Sequence, residues 1–200
     1  IGVRMNRLAL PKYITEIPEF YFQGSIIKEL ILQDTIQRLG IRSFIGAKID
    51  RLLLPKYITE IPEFCFQGSI IKELILFDTI QMLGIHAFNN ATITRLEILK
   101  GVTVIEAFCF HGAKIKEIAF SGKIQTLRMH AFNNATIERL EIPKCTTEIP
   151  EFCFCGSTIK ELILSDTIEK IHIGAFMDAT IERLEIPKGV TAIPEYAFKM

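Results

Sequence analysis

The chain has 200 residues, with 23 Lys and Arg against 23 Asp and Glu, a formal net charge of zero, 49% hydrophobic residues, no Trp and 15 Phe. That apolar content supplies a sizeable core and excludes a disordered chain. The even charge argues against a nucleic-acid or anionic-membrane binder, which needs a basic excess to neutralise phosphates.

The chain opens on Ile1-Gly2-Val3-Arg4, which is neither an initiator Met nor a signal peptide, so it reads as a fragment of something longer. No apolar run reaches the roughly 18 residues of a membrane span, so no membrane insertion is expected. Residues 8–32 then recur at 52–76, differing only at Ala9/Leu53 and Tyr21/Cys65. The half-period of 22 is the structural unit: Phe22, Phe44, Phe66, Phe88, Phe110, Phe132, Phe154, Phe176 and Phe198 fall on every multiple of it. Residues 1–200 are therefore one repeat array of about nine units, each able to bury its apolar columns only against its neighbours.

Within each unit the elements follow one order. The pattern I-x-x-L-x-L, first seen at Ile27-Lys28-Glu29-Leu30-Ile31-Leu32, predicts a strand with inward apolar residues, and stacked copies predict one parallel sheet. Ile-x-x-Ile or its equivalent, as at Ile14 and Ile17, predicts a second short strand on the outer side, ended by Pro18, Pro62, Pro150 and Pro194 in odd units. A tight helical turn is expected to carry the Phe. The corner after it is Gly24, Gly46, Gly68, Asn90, Gly112, Asn134, Gly156 or Asp178, residue types that tolerate a left-handed backbone.

Stacking turns each column into a row of neighbours about 4.8 Å apart. One such row reads Arg7, Glu29, Arg51, Glu73, Arg95, Glu117, Arg139, Glu161, Arg183, alternating in sign without exception. Rows starting at Lys12 and Lys28 alternate with few breaks. Such a structural charge ladder converts like-charge repulsion into ion pairs. At ~0.2–1 kcal/mol per exposed pair its main benefit is register. It also accounts for the 44-residue superrepeat, the shortest period that permits alternation.

Candidate chemistry is sparse. Cys65, Cys109 and Cys153 share a column but sit two units apart, about 9.5 Å by strand spacing and beyond disulfide reach. With Cys145 and Cys155 they read as buried or idle thiols. His86 and His130 are equivalent residues two units apart, and His111 and His172 occupy other columns, so the four are not expected to converge or to bind metal. No nucleophile, phosphate-loop or paired-carboxylate constellation appears, so no enzyme, metal or cofactor is expected. Asn90-Ala91-Thr92 and Asn134-Ala135-Thr136 are acceptor sequons for N-glycosylation in a secreted eukaryotic protein. Both also occupy the corner where Asn is expected for backbone reasons alone.

On the open face of the sheet, Ile31, Leu53, Ile75, Phe77 and Leu99 should point outward and form a contiguous concave apolar patch. A patch of that kind marks a binding site, and a β-branched face also simply suits a flat sheet.

The unit pattern, closest at Ile181-Glu182-Arg183-Leu184-Glu185-Ile186-Pro187-Lys188-Gly189-Val190-Thr191-Ala192-Ile193-Pro194-Glu195-Tyr196-Ala197-Phe198, resembles the BspA-like leucine-rich repeats. The small residue before Phe at Ala87, Ala131, Ala175 and Ala197 adds to the likeness, which covers residues 5–200. The units here are 22 rather than the more usual 23 residues, and alternate units place Tyr or Cys before the Phe.

The expected fold is a leucine-rich-repeat solenoid, with a parallel stacked sheet and a convex side of short strands and helical turns. The resemblance implies a non-catalytic protein-interaction or adhesion module with a protein or matrix partner, at a microbial or protist cell surface or outside the cell. The residues themselves leave an intracellular setting open. The alternative is a structural spacer or assembly component with no ligand of its own. Neither end carries a polar capping unit, so flanking repeats or self-association through the ends is expected.

Overall fold

The computed structural model describes residues 2–199. Long and short strands alternate along the chain: β1 (Arg4–Ala9), β2 (Glu16–Ile17), β3 (Ile26–Ile31), β4 (Arg38–Leu39), β5 (Lys48–Leu53), β6 (Glu60–Ile61), β7 (Ile70–Ile75), β8 (Met82–Leu83), β9 (Thr92–Ile98), β10 (Val104–Ile105), β11 (Lys114–Phe120), β12 (Thr126–Leu127), β13 (Thr136–Glu141), β14 (Glu148–Ile149), β15 (Thr158–Ile163), β16 (Lys170–Ile171) and β17 (Thr180–Leu184). The odd-numbered strands form one nine-stranded parallel sheet in chain order. The short strands pair on the outer side, as β2–β4, β6–β8–β10–β12 and β14–β16. The chain is thus a β-solenoid.

The long strands do not alternate strictly. In β3, Ile27 and Leu30 are buried while Lys28 and Glu29 between them both avoid the core, so the strand bends there. This is why the inward pattern reads I-x-x-L-x-L instead of every second residue. The register is one unit per strand throughout, with Arg7 opposite Glu29, Glu29 opposite Arg51 and so on to Glu161 opposite Arg183.

The core is a spine of phenylalanines. Phe22 through Phe198 stack in eight steps with ring centroids 5.0–5.5 Å apart and planes within 21°. Phe22 to Phe154 are at most 1% exposed and Phe176 is 2% exposed. Full burial of each ring contributes on the order of 2–3 kcal/mol, and near-parallel stacking adds about 0.5–1.5 kcal/mol per pair. Ile and Leu columns from the two sheet layers close around the spine.

The turn that carries the Phe is not helical, and no helix occurs among the described residues. It is a chain of tight turns, in which the amides of Tyr21, Gln23 and Ser25 donate to the carbonyls of Pro18, Phe20 and Phe22. The intervening amides of Phe22 and Gly24 donate to Ser43 and Ile45 of the next unit. A helix would spend every amide on its own turn; here every second one is spent on the stack, so the turns form a third ladder. Two left-handed residues per turn make this path. One is the expected corner at Gly24 and its equivalents; the other lies four residues earlier, at Phe20 (φ 58°), Arg42 (56°), Phe64 (55°), His86 (56°), Phe108 (57°), His130 (58°), Phe152 (53°), Gly174 (62°) and Tyr196 (59°).

Candidate functional site

On the open sheet face, pairing sets Ile31 beside Leu53 and Leu53 beside Ile75. Leu53 is 43% exposed, and Ile31 and Ile75 are partly exposed. Phe77 and Leu99 follow the ends of their strands and are also only partly exposed, with Leu99 packed against the core. The apolar surface is therefore a row of three with two margin residues. A hollow of about 260 Å³ lies between Ile75, Leu99, Arg95 and Glu97, and one of about 100 Å³ beside Ile31 and Leu53.

The charge ladder borders this row. Arg7 Nε lies 3.1 Å from Glu29, Arg51 Nε 3.0 Å from Glu73, Arg139 Nε 3.2 Å from Glu161, and Arg183 3.5 Å from the same Glu161. The flanking ladders contribute Lys56–Asp34 at 3.2 Å and Lys72–Asp50 at 2.9 Å. All are surface pairs, so the rows leave little net field to attract an ion.

All five cysteines are free. Cys65, Cys109 and Cys153 are fully buried beside the Phe spine, and burial pushes the Cys65 thiol up to about 12 and the other two upward as well. Such thiols are not nucleophiles at neutral pH. Asn90 and Asn134 are exposed at left-handed corners (φ 54° and 55°). Their Nδ2 atoms donate to Oδ1 of Asn89 and Asn133 at 2.8 and 2.9 Å. Each also presses its Oδ1 onto the next unit's corner, where a Cβ at Gly112 or Gly156 would collide with it.

Three of the four histidines do converge, contrary to the expectation from their columns, while His172 lies apart with its Nε2 2.9 Å from Glu148. His86 and His130 stack on opposite faces of Phe108 at 4.9 and 4.6 Å, and His111 meets the Phe108 ring edge at 5.9 Å. Stacking along the turn, not sequence spacing, brings them together. No group of three His, Cys, Asp or Glu residues among those described could hold a metal.

This cluster belongs to a second aromatic row that sequence reasoning missed. Arg42 lies over Phe64 at 4.7 Å and Phe20 at 5.9 Å, followed by Phe64–His86 at 4.7 Å, His86–Phe108, Phe108–His130 and His130–Phe152 at 5.2 Å. All of these are left-handed turn residues, and the row lies on the surface. The available signal was Phe at 20, 64, 108 and 152, alternating with planar nitrogen-bearing residues at 42, 86 and 130.

Comparison with known families decides the relationship. The sequence profile of the BspA type leucine-rich repeat region matches residues 2–100 and 83–200, in six copies. The chain belongs to this family. Among solved structures, the BspA-type array is similar to a leucine-rich repeat protein from Eubacterium ventriosum (16% identity, 98% of this chain and 76% of that one, TM-score 0.46). It is also similar to one from Bacteroides ovatus (13% identity, 86% and 76%, TM-score 0.31). A comparison with curated proteins gives no match.

Proposed function

We propose that this BspA-type array is a non-catalytic protein-interaction module, of the adhesion kind, that takes a protein or matrix partner on the open face of its sheet. The observation that carries the reading is the row Ile31–Leu53–Ile75, held in register beside the ladder pair Arg51–Glu73. Burying such a row against a partner gains hydrophobic free energy. Phe77 and Leu99 widen it at one end.

The test is binding to a panel of immobilised matrix and cell-surface proteins, comparing wild type with I75K/F77K, whose new charge at 75 falls beside Glu97. Binding by wild type that the variant loses, at an unchanged thermal midpoint, is expected. Equal binding by both would overturn the reading. The second reading is a stiff spacer, favoured by the near-uniform stacking of the Phe spine. It predicts that wild type retains nothing from the panel.

A further inference from the structure

The surface row of turn residues has one missing member. Phe20, Arg42 and Phe64 form an aromatic–guanidinium–aromatic sandwich, and Glu19 reaches Arg42 at 3.6 Å. Three superrepeats on, the equivalent residues are Phe152, Gly174, Tyr196 and Glu151. The walls and the carboxylate are kept, but the filling is a glycine. A cleft of about 500 Å³ opens at this point, lined by Phe152, Ile173, Met177, Asp178, Tyr196 and Lys199. Phe152 and Tyr196 are two units apart, about 9.5 Å by strand spacing, which leaves room for one planar group at stacking distance from each. The Phe152 ring lies against Gly174, where a Cβ would collide with its Cε1, so it covers part of this gap and swings back when a planar group enters.

We infer that this cleft is a receptor for an arginine side chain presented by a partner protein, its guanidinium stacking between Phe152 and Tyr196 and facing Asp178 and Glu151. Three observations choose the guanidinium over other flat groups. Where the row's filling is His86, an amide serves it, with Asn89 Nδ2 3.2 Å from the imidazole Nδ1; at His130 the residue in that place is again an amide, Asn133, though it makes no hydrogen bond to the ring. Where the filling is Arg42 that place is the apolar Ile45, and at the cleft it is the apolar Met177. The corner glycine of the Arg42 unit, Gly46, is replaced here by Asp178, adding a carboxylate for a cation. The Tyr196 ring accepts a cation, with Lys199 Nζ 4.7 Å from its centroid, and an incoming guanidinium displaces that ammonium from the cleft the two share. Arginine stacks on aromatic faces and pairs with carboxylates in one planar geometry, which lysine cannot do.

This site lies on the turn edge and stands or falls independently of the sheet-face row. The experiment is an NMR titration of the full chain, carrying ¹³C-methyl methionine, with acetyl-arginine amide. The citrulline, lysine and histidine analogues serve as competitors of matched size or charge. A saturable shift of the Met177 methyl with the arginine probe is expected, reduced several-fold with each analogue. It should be lost in G174R, which refills the row from within, and reduced in D178N. Should G174R fail to fold, Y196A removes one wall at an exposed position and should abolish the shift. No saturable shift at Met177, or an equal response to citrulline, would overturn the inference, as would undiminished binding in Y196A.

Discussion

At the scale of single residues, the array rests on the Phe spine and on its cross-unit stacking. Phe110 is wholly buried between Phe88 and Phe132. Phe110→Ala is expected to cost about 3–5 kcal/mol, since it leaves a cavity in a core whose neighbours are fixed by the ladder. Phe198 is 43% exposed and stacked on one side only, so Phe198→Ala should cost about 0.5–1.5 kcal/mol. The shift of the urea midpoint in the two variants checks the contrast.

The histidines give a second test at this scale. Burial, and then the nearby His111, hold His86 and His130 below the ordinary imidazole value. The carboxylates of Glu63 and Glu151 pull the other way, and burial wins. The folded form thus binds protons less readily than the unfolded one. Its contribution is complete above about pH 6.5 and is lost as pH falls through that value toward the depressed one. The thermal midpoint should fall between pH 7.5 and 5.5, and fall less in H86F/H130F, which keeps the stack. An identical slope in the two proteins would remove the histidines from the account.

The spine was legible because one residue type recurs at one spacing. The outer row was not, because Phe, Arg, His, Gly and Tyr share no hydrophobicity class, only a turn position and, glycine apart, a flat face. Its backbone was equally concealed. A left-handed conformation is read from Gly, Asn or Asp, and eight of the nine residues here are of other types; the amides of Arg42, Phe64, His86, His130 and Phe152 bond to the next unit.

At the scale of elements, the strands were legible from the I-x-x-L-x-L pattern and the sheet order from the repeat itself. The helical turn was expected because a Phe followed by a corner residue fits one, yet hydrogen bonds to the neighbouring unit compete for the same amides and win. Only the stack, absent from any single unit, contains that competition. The charge ladder makes a quantitative prediction here. Arg51→Glu sets Glu29, residue 51 and Glu73 in a row of like charges and should destabilise by about 0.5–2 kcal/mol. R51E/E73R restores one pair but leaves like charges at both its borders, so it should fall between wild type and the single variant. Raising the salt to about 1 M should bring all three together, because exposed charges are screened within about 3 Å there.

At the scale of the whole 200-residue array, apolar side chains are exposed in its first and last units. Val3 and Met5 are 42% and 40% exposed at one end, and Ile193 and Phe198 are 53% and 43% exposed at the other. β1 and β17 each pair on one side only. The 200-residue chain is expected to associate, with sedimentation showing a mass that rises with concentration. Direct head-to-tail stacking would set Arg183 of one copy against Arg7 of the next, so the association should strengthen with salt. A strict monomer at every concentration would show that the ends are less adhesive than their exposure indicates.

The alternating row also acts on folding as a parity check. Copies this similar invite a strand to skip its neighbour and join the sheet one unit late. Skipping one unit lays Arg7 against Arg51, or Glu29 against Glu73, and the error is repelled as it forms. Skipping two units restores opposite signs and passes unnoticed. The same arithmetic applies to growth of the array by duplication: 44 residues can be inserted or lost without disturbing the row, whereas 22 cannot. The sign pattern therefore marks the pair of units as the quantum in which this solenoid can lengthen.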